Sequence, residues 1–251
     1  MLPLISCKTI TYGRVSTLEE SIHSFLSQDY LGRKELIIVN DYPFQKLIYD
    51  HPEIKIINSA QSFSTIGEKE NFAVSQCSGE IIAVWDDDDI ALPNHLTNIA
   101  KFFKEDSDLL QWNRGVLFDH GSITAITGLG NAGIAYSKKV WKEIGGHPLE
   151  NAGYDMTFVL AIHALNRNKV VIASPQNEEV SFFYMWGGRC YHMSGQGTDV
   201  PGRSNILQRH SSFVEEERRR GNVPTGDIYL CPHWKQNYSQ MLKVFNGDIN
   251  H

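Results

Sequence analysis

The 251-residue chain has no apolar run approaching the roughly 20 residues that a helix needs to cross a bilayer; its longest stretches, such as 36–39 and 81–85, are broken almost at once. A membrane-spanning helix is excluded on this reading, and peripheral membrane contact stays open. Positive charge is also scarce: 23 Lys and Arg stand against 29 Asp and Glu, for a net charge of -6. No broad basic surface is available for a phosphate polymer, so nucleic acid is not the expected ligand. The first residues, Met1-Leu2-Pro3-Leu4-Ile5, meet polar Ser6, Cys7 and Lys8 without a basic start, an apolar stretch and a small-residue cleavage site. A cytoplasmic location is the expectation. Cysteine is sparse, with Cys7, Cys77, Cys190 and Cys231 far apart and no CxxC pair, so reduced thiols are expected. Internal repeats and low-complexity tracts are missing too.

What remains is ordinary globular material, 41% hydrophobic and 21% charged, enough for one compact domain with an appendage. Apolar β-rich runs alternate with amphipathic stretches over about two thirds of the chain, which predicts an α/β layer structure with a mainly parallel sheet. Strands are expected at 2–11, 35–39, 54–58 and 80–85. The intervening helices fall at 17–28, capped by Ser16 or Thr17 with Glu19 and Glu20 in the first turn, and at 67–77. Pro93 opens a further helix with Leu96, Ile99, Ala100 and Phe103 on one face. Shorter strands at 109–118, 122–127 and 132–136 read as hairpin or edge elements added to the first sheet. Beyond them come a short helix before Gly145-Gly146, a helix at 154–166, strands at 170–173 and 180–184, a glycine-rich segment, and a helix at 205–220. In that last helix Glu215 and Glu216 are spaced to pair with Arg219 and Arg220.

The densest chemistry is Asp86-Asp87-Asp88-Asp89, directly after the apolar run 81–85. Four adjacent carboxylates repel one another unless a cation compensates. One reading is a solvated turn with Asp89 capping the next helix. The other is a ligand site, because open α/β sheets bind ligands beyond the carboxyl ends of their strands. The natural partner there is Mg²⁺ or Mn²⁺, held by one or two carboxylates with phosphate and water completing the shell. In an extended strand end Asp86 and Asp88 share a side and can converge on one ion. The spacing and missing loop glycine exclude an EF-hand.

The run Ile66-Gly67-Glu68-Lys69-Glu70-Asn71-Phe72-Ala73, followed by Ser78-Gly79-Glu80-Ile81-Ile82-Ala83-Val84-Trp85 and the four aspartates, resembles the central motif of family 2 glycosyltransferases of the GT-A fold. Ile5-Ser6-Cys7-Lys8-Thr9-Ile10-Thr11-Tyr12-Gly13-Arg14 is similar to that family's first strand and nucleotide loop. Gln28-Asp29-Tyr30 with 35–41 is similar to its second strand, and the likeness covers roughly residues 2–195. The resemblance implies an α/β GT-A fold and transfer of a sugar from a nucleoside diphosphate sugar, with a UDP-sugar as the leading donor and a hydroxyl acceptor on a glycan, lipid-linked sugar or protein. Asp86 and Asp88 would be its DxD acids. Thr9, Tyr12 and Arg14 would line the nucleoside, Asp41 would face the base, and Lys69 would lie near base or phosphate. On the residues alone, Tyr12 can equally pack, Arg14 can pair with a surface carboxylate, and Lys69 can be a solvated helical lysine. The chain departs from the family pattern at Asn40-Asp41-Tyr42-Pro43, where an Asp-Asp-Gly-Ser type turn is common, and at Glu70, where an Arg usually precedes the asparagine.

The segment from Gly145 to Met156 resembles the family region in which the catalytic base opens a helix, and Asp155 is the matching residue. Tyr154 stands where an acid often precedes it. Within Trp186-Gly187-Gly188-Arg189-Cys190-Tyr191-His192, the resemblance implies His192 as a third metal ligand and Arg189 as a diphosphate clamp. A zinc site on Cys190 and His192 lacks a second Cys/His pair. The glycines of 186–202 suit a loop closing over the donor. The expected organisation is a catalytic domain at 1–200 and a C-terminal helical extension at 201–251 on or near the acceptor side. Inverting, metal-dependent sugar transfer is the leading reading. The alternatives are a sugar-phosphate nucleotidyltransferase, for which the glycine-rich basic loop after strand one is missing, and a catalytically silent nucleotide-sugar binding protein.

Overall fold

The computed structural model describes residues 2–127, 132–176, 179–186 and 206–247. The chain opens with strand β1 (Ile5–Thr11) and helix α1 (Val15–Leu26), followed by strands β2 (Lys34–Asn40), β3 (Gln45–Ile48) and β4 (Ile54–Asn58). Helix α2 (Ile66–Gln76), β5 (Ile81–Val84), the short β6 (Ile90–Ala91) and α3 (His95–Phe102) come next. The middle of the chain supplies β7 (Leu109–Trp112), β8 (Arg114–Asp119), β9 (Ser122–Thr127), β10 (Ala135–Ser137), α4 (Lys138–Glu143) and α5 (Tyr154–Ala164). It ends with β11 (Val170–Ala173), β12 (Phe182–Trp186), α6 (Ile206–Arg219), β13 (Gly226–Tyr229) and α7 (Tyr238–Phe245).

Seven strands form the main sheet in the order β11-β7-β10-β5-β1-β2-β4. All pair in parallel except β10, which runs antiparallel between β5 and β7. Successive side chains of a strand face opposite ways, so Leu36 and Ile38 join one core while Ile37 and Val39 join the other. Leu18, Ile22 and Phe25 of α1 with Leu96 and Ile99 of α3 cover the first face. Ala73 and Val74 of α2, Val140 of α4, and Phe158, Val159 and Ile162 of α5 cover the second. Burial on both faces is why these strands read as unbroken apolar runs.

The expected α/β layers are present, with local corrections. Helix α1 begins at Val15 behind Arg14 and has no side-chain cap, because the Thr17 hydroxyl donates to the Arg14 carbonyl at 3.2 Å inside the helix. Glu19 and Glu20 therefore lie beyond the first turn, where they hold the C-terminal segment: Glu19 accepts from the Cys231 amide at 2.8 Å, and the buried Glu20 accepts from the Lys235 amide at 3.1 Å and the Tyr238 hydroxyl at 2.7 Å. The expected single strand at 109–118 breaks at Asn113, whose amide bonds the Ala173 carbonyl at 2.8 Å. Its two halves enter different sheets, since β8 joins β6, β12 and β9 in a second sheet of four strands. β10 is an interior strand instead of an edge. The last segment carries a strand as well as helices, β13 pairing in parallel with β3. In α6, Glu215 pairs with Arg218 one turn away in place of Arg219, while Glu216 does reach Arg220. The described cysteines Cys7, Cys77 and Cys231 are free thiols. Among the described residues no helix is long and apolar enough to cross a membrane.

His95 marks the seam between the two sheets. It is fully buried among Trp85, Trp112 and Phe182, with Nδ1 2.9 Å from the Ser181 hydroxyl. Burial pushes its pKa down to about 3. A folded value below the unfolded one means that the unfolded chain takes up the proton first, so this contribution is complete above the unfolded pKa and is lost as pH falls. Between pH 7 and pH 5 the wild type should lose about 2 kcal/mol more stability than His95→Gln, which keeps a polar partner for Ser181 without titrating. Urea unfolding at the two pH values measures this, and parallel losses would contradict it.

Candidate active site

Because β1, β2 and β5 are parallel neighbours, their carboxyl ends deliver Tyr12 to Arg14, Asp41, and Asp86 to Asp89 to one edge of the sheet. After β5 the chain bends at Asp87 and Asp88 instead of continuing extended. The Ser21 hydroxyl of α1 donates to the Asp86 carbonyl at 2.9 Å and holds the bend. Arg14 reaches across with Nη2 2.5 Å from Asp87 Oδ1 and Nη1 2.9 Å from Asp88 Oδ2. Asp89 turns the other way and accepts the Met185 amide at 2.8 Å, tying this corner to β12; it does not cap α3, which follows Asn94. Burial, with neighbouring carboxylates adding to it, raises Asp86 to about 7 and Asp87 to about 6. Lys8 pulls the first back and Arg14 the second.

Two buried lysines close the floor. Lys69 of α2 forms an ion pair with Asp41 and donates to the Thr11 carbonyl at 2.7 Å, so it is not a solvated helical lysine. Burial lowers its pKa and Asp41 opposes the shift. Asp41 also accepts the Phe63 amide at 3.2 Å. One position deeper, Lys8 of β1 pairs with Glu70 of α2, both almost wholly inaccessible at 3% and 1%. The second Glu70 oxygen accepts the Tyr154 hydroxyl at 3.3 Å. A buried carboxylate needs such compensation, and Lys8 and Tyr154 supply it.

These contacts also position Asp155. Gly67 at the start of α2 lies so close to the loop ahead of α5 that an added Cβ would sit 1.8 Å from the Pro148 carbonyl oxygen. Its amide bonds the Glu150 carbonyl at 3.0 Å. Asn71 receives the His147 amide on its side-chain oxygen at 2.7 Å and donates to the His147 carbonyl at 2.8 Å. Tyr154 and the half-buried Asp155 then begin α5 after Gly153, whose φ of 71° is a left-handed value that glycine tolerates.

Residues from the far end of the chain complete the edge. The ring of His210 on α6 lies 5.6 Å from that of Tyr12, and Tyr12 packs edge-on against Tyr42 at 4.9 Å. A cavity of about 100 Å³ lies between Tyr12, Asp41, Phe63, Lys69, His210 and Ser211. Thr9 stands below it, its hydroxyl spent on the Trp85 carbonyl at 2.5 Å.

The structure thus gathers Tyr12, Arg14, Asp41, Lys69, Asp86 and Asp88 at one edge, with Thr9 beneath and Asp155 joined through Tyr154 and Glu70. Arg189 and His192 lie outside the described residues, as does most of the expected loop at 186–202. Lys8, Asn71, His210 and Ser211 were not expected at the site. Lys8 left a signal as a charge inside an otherwise buried strand, Asn71 as the asparagine of the motif on α2, and His210 as one position on the inward face of the last helix. Among the described residues no three His, Cys, Asp or Glu side chains form a metal cage. The oxygen donors still suit a hard divalent ion that keeps water and phosphate ligands, and the raised Asp86 and Asp87 show that burial disfavours their charged forms more than Lys8 and Arg14 restore them.

Residues 6–130 match the family described as Glycosyl transferase family 2. The uncharacterized glycosyltransferase YwdF of Bacillus subtilis (strain 168) is 34% identical over 101 residues, covering 39% of this chain and 37% of that protein. The crystal structure of S. aureus TarS 1-349 in complex with UDP-GlcNAc matches with a TM-score of 0.61 at 17% identity, over 83% of this chain and 65% of that one. The mannosyltransferase PcManGT from Pyrobaculum calidifontis, in complex with GDP-Man and Mn2+, matches with a TM-score of 0.55 at 14% identity, over 89% and 66%. The chain thus spans little more than a third of YwdF and under two thirds of these solved chains. The structural likenesses carry the fold, which is the GT-A fold anticipated above.

The floor can be tested by its stability. Lys8→Met strands Glu70 and should cost about 3–5 kcal/mol, whereas the double change Lys8→Met, Glu70→Met should recover most of that loss, because a well-packed apolar pair can replace a buried ion pair. Urea unfolding of both variants decides this. Additive losses would show that the two residues do not act as a pair.

Proposed function

We propose that this chain, a member of glycosyl transferase family 2 through residues 6–130, moves a sugar from a nucleoside diphosphate sugar to a hydroxyl acceptor with inversion at the anomeric carbon. The observation that carries this reading is the meeting, at the ends of three parallel strands, of a base-sized cavity, the Arg14 guanidinium and the acidic turn. Tyr12, Asp41 and Lys69 hold the nucleoside end of the donor. Asp86 and Asp88 would hold Mn²⁺ or Mg²⁺, which would supply positive charge to the departing diphosphate. TarS with UDP-GlcNAc supports a UDP-sugar as donor, and PcManGT with GDP-Man and Mn2+ supports a divalent ion.

In the reaction the acceptor oxygen forms a bond to the anomeric carbon while the bond from that carbon to the diphosphate oxygen breaks on the opposite face. Asp155 takes the acceptor proton, and the electron pair leaves with the nucleoside diphosphate. Arg14 is drawn from Asp87 and Asp88 toward the phosphates, where a planar donor suits their oxygens. The departures from the family pattern have structural roles, which supports this reading. Asn40 accepts the Tyr42 amide at 3.1 Å and donates to the Gln45 carbonyl at 3.1 Å, fixing the turn after β2, while Glu70 and Tyr154 compensate one another with Lys8. A catalytically silent binding protein is therefore the weaker reading. Residues 1–200 would carry the catalytic unit and 201–251 an extension, in a protein working in the cytoplasm on a glycan, lipid-linked sugar or protein acceptor.

The test separates donor binding from chemistry. Asp155→Asn should keep the nucleotide affinity of the wild type and lower the transfer rate by about 10²–10⁴-fold, measured as UDP release from a panel of UDP-sugars and acceptors with Mn²⁺. Turnover near the wild-type rate would remove Asp155 from the role of base.

A further inference from the structure

The cavity beside Asp41 has one wall that the family match does not include. Residues 6–130 supply Tyr12, Asp41, Phe63 and Lys69, but His210 and Ser211 come from α6, 80 residues beyond the end of that match (210 against 130). Helix α6 is firmly seated. An added Cβ at Gly13 would lie 2.6 Å from Val214, and Gly13 itself has a φ of 72°. Tyr42 donates to Glu215 at 3.0 Å, Glu215 holds Arg218 at 2.7 Å, and Arg218 lies over the Phe44 ring at 4.6 Å. These contacts clamp the helix to the loops after β1 and β2, so the width of the cavity is set by α6.

At about 100 Å³ this half-open space falls below the roughly 300–1,000 Å³ of pockets that take a whole ligand. It suits one ring of a larger ligand. Its lining includes the rings of Tyr12, Phe63 and His210, with Ser62, Ser211 and the Asp41–Lys69 pair as polar members. Aromatic faces hold a planar base by stacking, while hydroxyls and amides read its edge. Arg14, which borders the same space, leads from it to the acidic turn.

Resting on the donor reading above, we propose that α6 is a built part of the donor site: His210 and Ser211 form the outer wall of a nucleobase slot that admits a pyrimidine and rejects a purine. A single six-membered ring enters with α6 in place. A fused double ring requires the helix to give up its contacts with Gly13, Tyr42 and Phe44.

Calorimetry with UDP and GDP in the presence of Mn²⁺, on the full chain, tests this. The wild type should favour UDP by at least about tenfold, His210→Ala should bring the two nucleotides within about threefold by opening the wall, and Ser211→Phe should lower UDP affinity more than about tenfold by filling the slot. Ser211 is only half-buried on α6, and thermal unfolding of each variant checks that the fold is kept. UDP binding that is unchanged in both folded variants, or equal wild-type affinity for UDP and GDP, would overturn the role of α6 while leaving the donor site in place. A wild type that binds neither nucleotide would instead overturn the donor reading and this inference with it.

Discussion

Charge compensation without water is the constraint on which this molecule depends. Asp41, Glu70 and Asp87 are each buried at the carboxyl edge of the main sheet, and a carboxylate in that setting costs several kcal/mol unless paired. Each pairs with a cation from a different part of the chain: Asp41 with Lys69, Glu70 with Lys8, and Asp87 with Arg14, which Asp88 shares. Those pairings fix how α2 sits on β1 and β2, and how the loop into α1 faces the turn after β5. At Asp86 and Asp87 burial outweighs the nearby cations and keeps the pKa values high. On the reading proposed above, this buried acidic turn is where a metal and a diphosphate would enter.

The second half of the chain is built onto the same constraint. Gly67 and Asn71 fasten the loop ahead of α5 to α2, and Tyr154 shares the Glu70 carboxylate with Lys8. The position of Asp155 therefore follows from the pairing at Glu70. The C-terminal residues fold back over α1, where Glu19, Glu20 and Ser24 receive Cys231, Lys235 and Trp234. Ahead of that segment, α6 packs against the loops after β1 and β2. A helix remote in sequence thus faces the ends of the first two strands.

Legibility in the sequence followed the range of the interactions. The strands around β1, β2 and β5 and the helices α1, α2 and α5 were readable because buried parallel strands are continuous apolar runs and their helices keep one apolar face. The short β3 and β13 were not, since each is four residues long and exists by pairing with a partner about 180 residues away. The break at Asn113 was equally hidden, because only the assignment of its two flanks to different sheets creates it. In the site, Asp86, Asp88, Asp41 and Arg14 stood out through a local motif. The role of Glu70 did not: alone it reads as a departure, and its meaning comes from Lys8, 62 positions earlier, and Tyr154, 84 positions later. His210 was legible only as one position on the inward face of the last helix, and Ser211 carries no local pattern.

The central claim is that the acidic turn and the Asp41 cavity form one donor site completed by a divalent ion. Titrating UDP into the chain by calorimetry, first with Mn²⁺ and then with EDTA, addresses it most directly. Mn²⁺ should strengthen UDP binding by at least about tenfold, an effect abolished in Asp88→Ala. Equal UDP affinity with Mn²⁺ and with EDTA, or an Asp88→Ala variant that keeps the full metal effect, would contradict it.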